Sequence, residues 1–532
     1  GMKYFLILST LLFSFSLMFH TFSYDKSLQS VTIATKAWSD FGAHMPLIRS
    51  FSHGPNLTRL FTQNPIESPL FPNEPIRYHF GFYALVGLLE KLGVRTDWAV
   101  NIPSALGMTL FLSMVYLLSF QLFERHAVSV LSIMFVLFNG SLSFLRFFQI
   151  HPLSLTTPID IIPNTKFSSF GPWDGSLVSA FWTLNIYTNQ RHLSLAYGLS
   201  LFIIFMTRKK TKSIYIALMR SMLLYVHFPA AIMTAIFLAW IFITKKDTRI
   251  FLIVSALLSL PAFLFLLTKT HVGSPLSLEY GYLIQKPITV FSFLLYWLNN
   301  IGLHILFIPI GLTLAPRRVR RVLAVPLFVI FLLPNIIRLS PDMINNHKFF
   351  NFFMIIAGMC SAYAIVRLWS SRIGKCIAIA AVFVLTFSGI IDLFPILNDT
   401  RGTIADMAKQ QDILFFQTHT NPNDVIANSI WFYHPASLAG RAIYSGYTYF
   451  TWSYGYDQDA REQTLLSIYQ AKNISTLCPI LEKTAISYIE LKDNPEDYIK
   501  PNLSLWDALP VAYTNALSGI RVYKTKNICE KI

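Results

Sequence analysis

The sequence predicts an α-helical, multi-pass membrane protein that ends in a small α/β domain. Three observations carry this. The 532 residues are 54% hydrophobic and only 13% charged, with a mean hydropathy of +0.49, too apolar for a soluble chain of this size. The Lys and Arg residues fall in short runs between long apolar stretches. From Asp399 onward the composition turns polar and mixes helical with strand-like patterns.

Gly1 before Met2 reads as a tag remnant, so the natural chain is expected to start at Met2. The first apolar run, Tyr4–Phe22, lacks a small-residue cleavage site and is expected to be an uncleaved signal anchor. Further runs follow at Tyr78–Leu92, Val100–Leu122, Val128–Phe147 and His192–Met206. Tyr78–Leu92 is short and either dips into the membrane or crosses it. Ile214–Thr244 is long for one crossing and short for two; Pro229 sits mid-way, where it would break a helix, and Arg220 complicates a hairpin. Later runs are Ile250–Leu267, Pro287–Leu314, Val322–Ile337, Phe349–Val366 and Cys376–Leu397.

Net charge is +16, but its placement argues for topology and not for nucleic acid. Four basic clusters lie around Arg208–Lys212, Lys245–Arg249, Arg317–Arg321 and Arg367–Lys375, and short basic loops stay in the cytoplasm. With Met2 also inside, residues 23–77 form an outer loop, and the tail of 399–532 is extracytoplasmic. Runs such as "DVIANS", "AISYIEL" and "GIRVYKT" read as strands of that tail, and "TIADMAKQQDILFFQTH" as a helix. Cys478 and Cys529 lie in the tail, where an outer location permits a disulfide; Cys360 and Cys376 read as small core residues.

Polar residues collect where outer ends of spans converge: Asp40, His44, Arg49, Arg77 and His79 in the first loop; Asp174 and Asn189 to His192, including Arg191, further on; then His227, Asp342 and Asn345 to Lys348, including His347. Any single Arg or His among these has an ordinary reading as an interfacial residue with a snorkelling head group. Asp40 is more telling, because a carboxylate gains nothing from anionic head groups and its surroundings are apolar. A helix would stack Asp40 and His44 on one face, although Pro46 favours a helix start over a helix interior. A carboxylate here suits a general base or a divalent-cation ligand, and cations across a cavity suit a phosphate whose charge grows as it leaves.

The stretches "WSDFGAHMPLIRSF" and "PIRYHFGFYALVGLLEKLGV", with "NQRHLSLAYGL", "NNHKFFNFF" and "HPASLAGRAIYSGYTYFTWSYGYDQDAREQ", resemble the GT-C superfamily of membrane glycosyltransferases, and within it a largely uncharacterised bacterial membrane-protein group. The resemblance implies roughly 10–13 transmembrane helices of about 20 residues each, a first outer loop 23–77 with in-plane helices, and a two-part chain, 1–398 and 399–532. It implies a plasma-membrane enzyme that moves a sugar from a polyprenyl phosphate or diphosphate to a glycan, lipid or protein acceptor on the outer face, with inversion. Asp40 takes the place of the family acid, as base or as ligand of Mg or Mn. Many relatives carry an acidic pair here, whereas Ser39 and Phe41 flank Asp40. Arg441 and Arg461 could reach a phosphate or an acceptor carboxylate, while Trp452 and Tyr454 read equally as a docking core for the tail. "TWSYG" echoes the oligosaccharyltransferase "WWDYG" without its acid.

Two other classes use the same features. A transporter or lipid flippase would need interrupted helices and inverted repeats; Pro229 is one candidate break and no repeat is visible. A non-catalytic assembly or receptor protein would depend on the tail and tolerate loss of Asp40.

Overall fold

The computed structural model describes residues 2–169, 179–209, 212–271, 276–405, 410–496 and 498–530. Asp174, Lys210 and the "DMAK" part of the first tail segment lie outside the described residues.

Among the described residues, five helical stretches are long and apolar enough to cross a membrane: Tyr4–Thr21, Thr96–Phe123, Lys246–Lys269, Met343–Leu368 and Arg372–Leu397. A bent pair, Val290–Ile301 and His304–Leu314, turns by 87° and would make a sixth. His126–Leu137, Ser213–Val226 and Phe228–Thr244 are apolar but shorter; Arg191–Arg208 has 18 residues but is not among the five. The count expected from the resemblance thus exceeds the spans long enough to stand alone. The helix through Phe349 is the hub, with 89% of its apolar window buried, whereas that of Lys246–Lys269 is 22% buried and presents Leu257 and Leu264 outward. His304–Leu314 approaches the hub at Gly311, where any side chain would collide with the carbonyl oxygen of Cys360.

The ambiguous segments resolve by simple rules. At Tyr78–Leu92 the helix is only Gly81–Lys91, 11 residues, or about 16 Å at 1.5 Å per residue, half a hydrocarbon core. It packs against Trp38–Ser52 with Arg49 Nε 3.5 Å from Glu90. Between Ser213–Val226 and Phe228–Thr244 the chain breaks at His227, which is extended (φ −163°, ψ 100°), and Pro229 occupies the first turn of the second helix, where a missing N–H costs nothing. Pro46 is a departure from expectation: it lies inside Trp38–Ser52. The carbonyl it leaves without a donor belongs to Gly42, which has no side chain because the ring of Phe432 fills that space.

The tail holds a five-stranded mixed sheet in the order Val511–Asn515, Ile520–Lys524, Ile486–Lys492, Val425–Ala427, Ala442–Ile443. Three of these strands were legible as alternating apolar runs; Val511–Asn515 is largely exposed and Ala442–Ile443 has two residues. Cys478 and Cys529 are joined, with Cα atoms 5.7 Å apart. Cys376, expected in the core, is exposed on the outward face of its helix. Thr403 to Ala405, read as the start of a helix, instead belong to the strand Arg401–Ala405, which pairs with Ser30–Ala34 in a three-stranded sheet. Phe22, Phe41 and Ile48 share one apolar core with Phe416, Ile426 and Ile443, so the first loop and the tail fold as one unit across the boundary at 398.

Candidate functional site

One cavity of about 740 Å³ lies between the first loop, the starts of several apolar helices and the tail segment around Tyr447. Asp40 and His44 line it one helical turn apart, as their spacing requires. Asp40 is the one carboxylate among the described lining residues. Burial pushes its pKa up to about 6, against the pull of the Lys348 ammonium and a hydrogen bond from Asn189. That value suits a group that must take a proton near neutrality.

Lys348 faces Asp40 from the start of the central helix and is only 8% exposed. Its backbone is fixed by Tyr197, whose hydroxyl donates to the Lys348 carbonyl at 2.8 Å. Asp342 caps the preceding turn through the Ile344 N–H (3.1 Å), and Asn346 donates to the carbonyls of Pro334 and Ile337, so "NNHK" is held as a shaped entry to the helix. His347 lines the cavity and pairs through Nδ1 with the Asn351 amide at 3.1 Å.

Arg77 lines the opposite wall and ties it to the tail. Its guanidinium donates to the Gly455 carbonyl and stacks 4.7 Å over the Tyr456 ring, and its backbone N–H donates to the Tyr456 hydroxyl at 3.0 Å. Tyr447, Tyr449 and Tyr454 complete the roof, Tyr454 lying 4.8 Å from the ring of Tyr78. Tyr454 thus packs where the tail meets the first loop and also lines the cavity, whereas Trp452 is 46% exposed and not part of the lining.

The histidines contribute as neutral rings. Burial, then the charges of Lys348 and Arg191, pulls the His44 pKa down to about 3. His79 lines the cavity and is likewise held well below its usual value by burial and by its imidazole neighbours. His192 and His227 are fully buried just behind it. His79 Nε2 lies 2.8 Å from His192 Nε2, and His192 Nδ1 lies 2.8 Å from the Tyr83 hydroxyl.

Two predicted cations lie outside the lining. Arg191 is 1% exposed and donates to the Thr188 and Met18 carbonyls, Met18 Sδ, Asn101 Oδ1 and Thr21 Oγ1. It clamps the first helix beneath Phe41, over which it lies at 5.6 Å. Arg441 sends its donors to Thr420 Oγ1 and the carbonyls of His53, Ala439, Gln417 and Thr420, joining tail to first loop. Arg461 bonds the Tyr444 and Pro72 carbonyls and stacks on Phe71 at 3.8 Å. Sequence reading missed Tyr83, hidden in an apolar helix, and Lys36, which pairs with Asp399 at 2.9 Å.

A divalent Mg or Mn ion at Asp40 fits poorly. Such ions need several oxygen ligands, usually more than one carboxylate; here the one acid is balanced by an ammonium.

A second, apolar groove of about 290 Å³ adjoins the cavity, sharing Leu224, Phe228 and Ile232 with it. It runs between Ser213–Val226, Phe228–Thr244 and Arg249–Lys269, with Arg220 in its lining.

No protein-family model matches the chain, and no curated protein matches it. Along most of its length it is similar to solved structures of the oligosaccharyltransferase of Archaeoglobus fulgidus. One, tethered to an acceptor peptide containing an NVT sequon, is 11% identical with a TM-score of 0.48, covering 92% of this chain and 69% of that one. Another, complexed with Zn and sulfate, is 12% identical with a TM-score of 0.48, covering 91% and 67%. A third, with an inhibitory peptide and a dolichol-phosphate, is 13% identical with a TM-score of 0.40, covering 92% and 69%. These neighbours are oligosaccharyltransferases. The chemistry of this cavity has to be read from its own side chains.

Proposed function

We propose that the protein is a lipid-linked-sugar glycosyltransferase of the bacterial plasma membrane, working on the outer face with inversion. The observation that carries this is one cavity lined by Asp40, Lys348 and Arg77, with an apolar groove beside it that shares Leu224, Phe228 and Ile232. The cations suit a phosphate or diphosphate leaving group, whose growing negative charge they stabilise. The groove suits the first isoprene units of a polyprenyl tail. Asp40 accepts the proton of an acceptor hydroxyl as that oxygen attacks the anomeric carbon, and the bond to the phosphate oxygen breaks on the opposite face. His44 and His79, as neutral rings, and His347 orient oxygens by hydrogen bonds. Arg191 and Arg441 act at a distance, by holding the walls. The sugar acceptor is a hydroxyl of a glycan, lipid or protein.

Native mass spectrometry and lipid extraction of the protein in mild detergent test this, with wild type beside Asp40→Asn. A co-purifying polyprenyl phosphate, accumulating with its sugar in the variant, is the expected result. Absence of any polyprenyl lipid from both, with another lipid bound, moves the assignment to a flippase or transporter.

A further inference from the structure

The mechanism above places His79 against substrate oxygens but gives the His192 and His227 rings buried behind it no task. His79, His192 and His227 come from three separate segments: the turn before Gly81–Lys91, the start of Arg191–Arg208, and the break before Phe228–Thr244. Their donor atoms all lie within 4.8 Å of one another, and His192 and His227 are fully buried. No carboxylate is bonded to any of the three among the described contacts; His192 has only His79 and the Tyr83 hydroxyl as partners.

Hydrogen bonding alone does not account for the third ring. A single proton serves the His79–His192 contact at 2.8 Å. His227 Nδ1 accepts the Ala230 N–H at 3.1 Å, capping its helix, which leaves the ring proton on Nε2. That atom is buried and has no acceptor among the described residues, an unfavourable state for a buried N–H. Three convergent imidazole nitrogens are what a zinc-like ion takes as ligands. At the usual bond length of about 2.0–2.1 Å, tetrahedral ligands lie about 3.3–3.4 Å apart. The 2.8 Å contact needs to open by about half an ångström, and the widest pair needs to close by about 1.5 Å to meet that geometry.

We propose that His79, His192 and His227 form a three-histidine site for a transition-metal ion, Zn²⁺ by its chemistry, in the wall of the cavity. Nitrogen donors select Zn²⁺ and its late first-row neighbours over Mg²⁺ or Mn²⁺, and the site is distinct from Asp40. His79 is its cavity-lining member, so the fourth position faces the cavity, open to water or a substrate oxygen. Each ring stays neutral and carries its proton on Nδ1 once Nε2 is bound: His192 then donates to the Tyr83 oxygen, and His227 shifts its proton from Nε2 to Nδ1, giving up the Ala230 N–H that it caps. Tyr83 is a positioning residue that orients the His192 ring. The inference stands on this geometry and does not depend on the transfer reaction.

The test uses the full chain without an oligohistidine tag, stripped with a chelator and reloaded with Zn²⁺ or Co²⁺. The expected result is about one metal per chain by elemental mass spectrometry and an intense visible Co²⁺ band of tetrahedral type. Asp40→Asn retains the metal, His227→Ala loses it, and Tyr83→Phe weakens it about 10–100-fold. If His227→Ala elutes aggregated, the comparison of Tyr83→Phe with Asp40→Asn decides. No stoichiometric metal in the wild type overturns the proposal. So does binding that survives His227→Ala or Tyr83→Phe unchanged while Asp40→Asn abolishes it.

Discussion

Asp40→Asn separates a base from a bystander, because it removes the proton acceptor with almost no change of shape. With a pKa of about 6, the carboxylate is about nine-tenths ionised at pH 7 and about one-tenth at pH 5. Wild-type transfer is therefore expected to rise about tenfold per pH unit below 6 and to level off above 7. Loss of a positioned base costs about 10²–10⁴ in rate, and the residual rate should no longer follow that profile. Stability moves the other way. A carboxyl whose pKa is raised from 3.8 to about 6 contributes stability that is present below pH 3.8 and lost as pH climbs through 6. The shift of about 2 units corresponds to about 3 kcal/mol. Asparagine is spared that loss. The variant should melt above wild type at pH 8, with the gap closing toward pH 4.5, as read by fluorescence melting in detergent alongside transfer assays. Transfer in Asp40→Asn above a tenth of wild type, or a variant that melts below wild type at pH 8, would refute the reasoning.

Other consequences can be checked with simpler readouts. Lys348→Met removes the cation that pulls the Asp40 pKa down, so the midpoint of the pH–rate profile should move upward; donor KM should rise as well. Cys478→Ser opens a bridge spanning 51 residues, whose loop-closure entropy is worth about 4 kcal/mol; limited proteolysis under reducing and oxidising conditions reads the loss in the tail. Arg441→Ala leaves the buried Thr420 carbonyl and the part-buried carbonyls of His53 and Gln417 without this donor, at about 1–3 kcal/mol. It should lower thermal stability while donor KM in the surviving folded protein stays near wild type.

What the sequence made legible follows from what local pattern encodes. Apolar runs bounded by basic clusters located the long helices, because burial and charge exclusion act residue by residue. Asp40, His44, Arg77, His79, His347 and Lys348 share one cavity because each stood out as polar in an apolar setting. The same signal misjudged Arg191 and Arg441. Charge in an apolar context is equally the mark of a clamp, and only the fold reveals that carbonyls such as those of Thr188 and Ala439 use up their donors. Tyr83 went unread because a tyrosine inside an apolar helix has no local signature; its role appears only when His192 arrives from more than a hundred residues away. The pairing of Arg401–Ala405 with Ser30–Ala34 was invisible for the same reason, since register between distant strands is set by the turns and cores that bring them together.

That pairing bears on how the site is assembled. Composition divides the chain at 398, yet the cavity takes its floor from one side of that division and its aromatic roof from the other. Arg77 is the fastening between them: its side chain meets Gly455 and the Tyr456 ring, and its backbone meets the Tyr456 hydroxyl. Lysine at this position would keep the charge but lose the planar fork and the stacking. Arg77→Lys should therefore leave the membrane helices as stable as before while freeing the segment 447–456. Faster proteolytic cleavage within that segment, with donor and acceptor KM both raised and the pH midpoint near 6 unchanged, is the expected outcome. Unchanged cleavage with a shifted midpoint would mean that Arg77 acts on Asp40 through its charge, and that the roof closes without it.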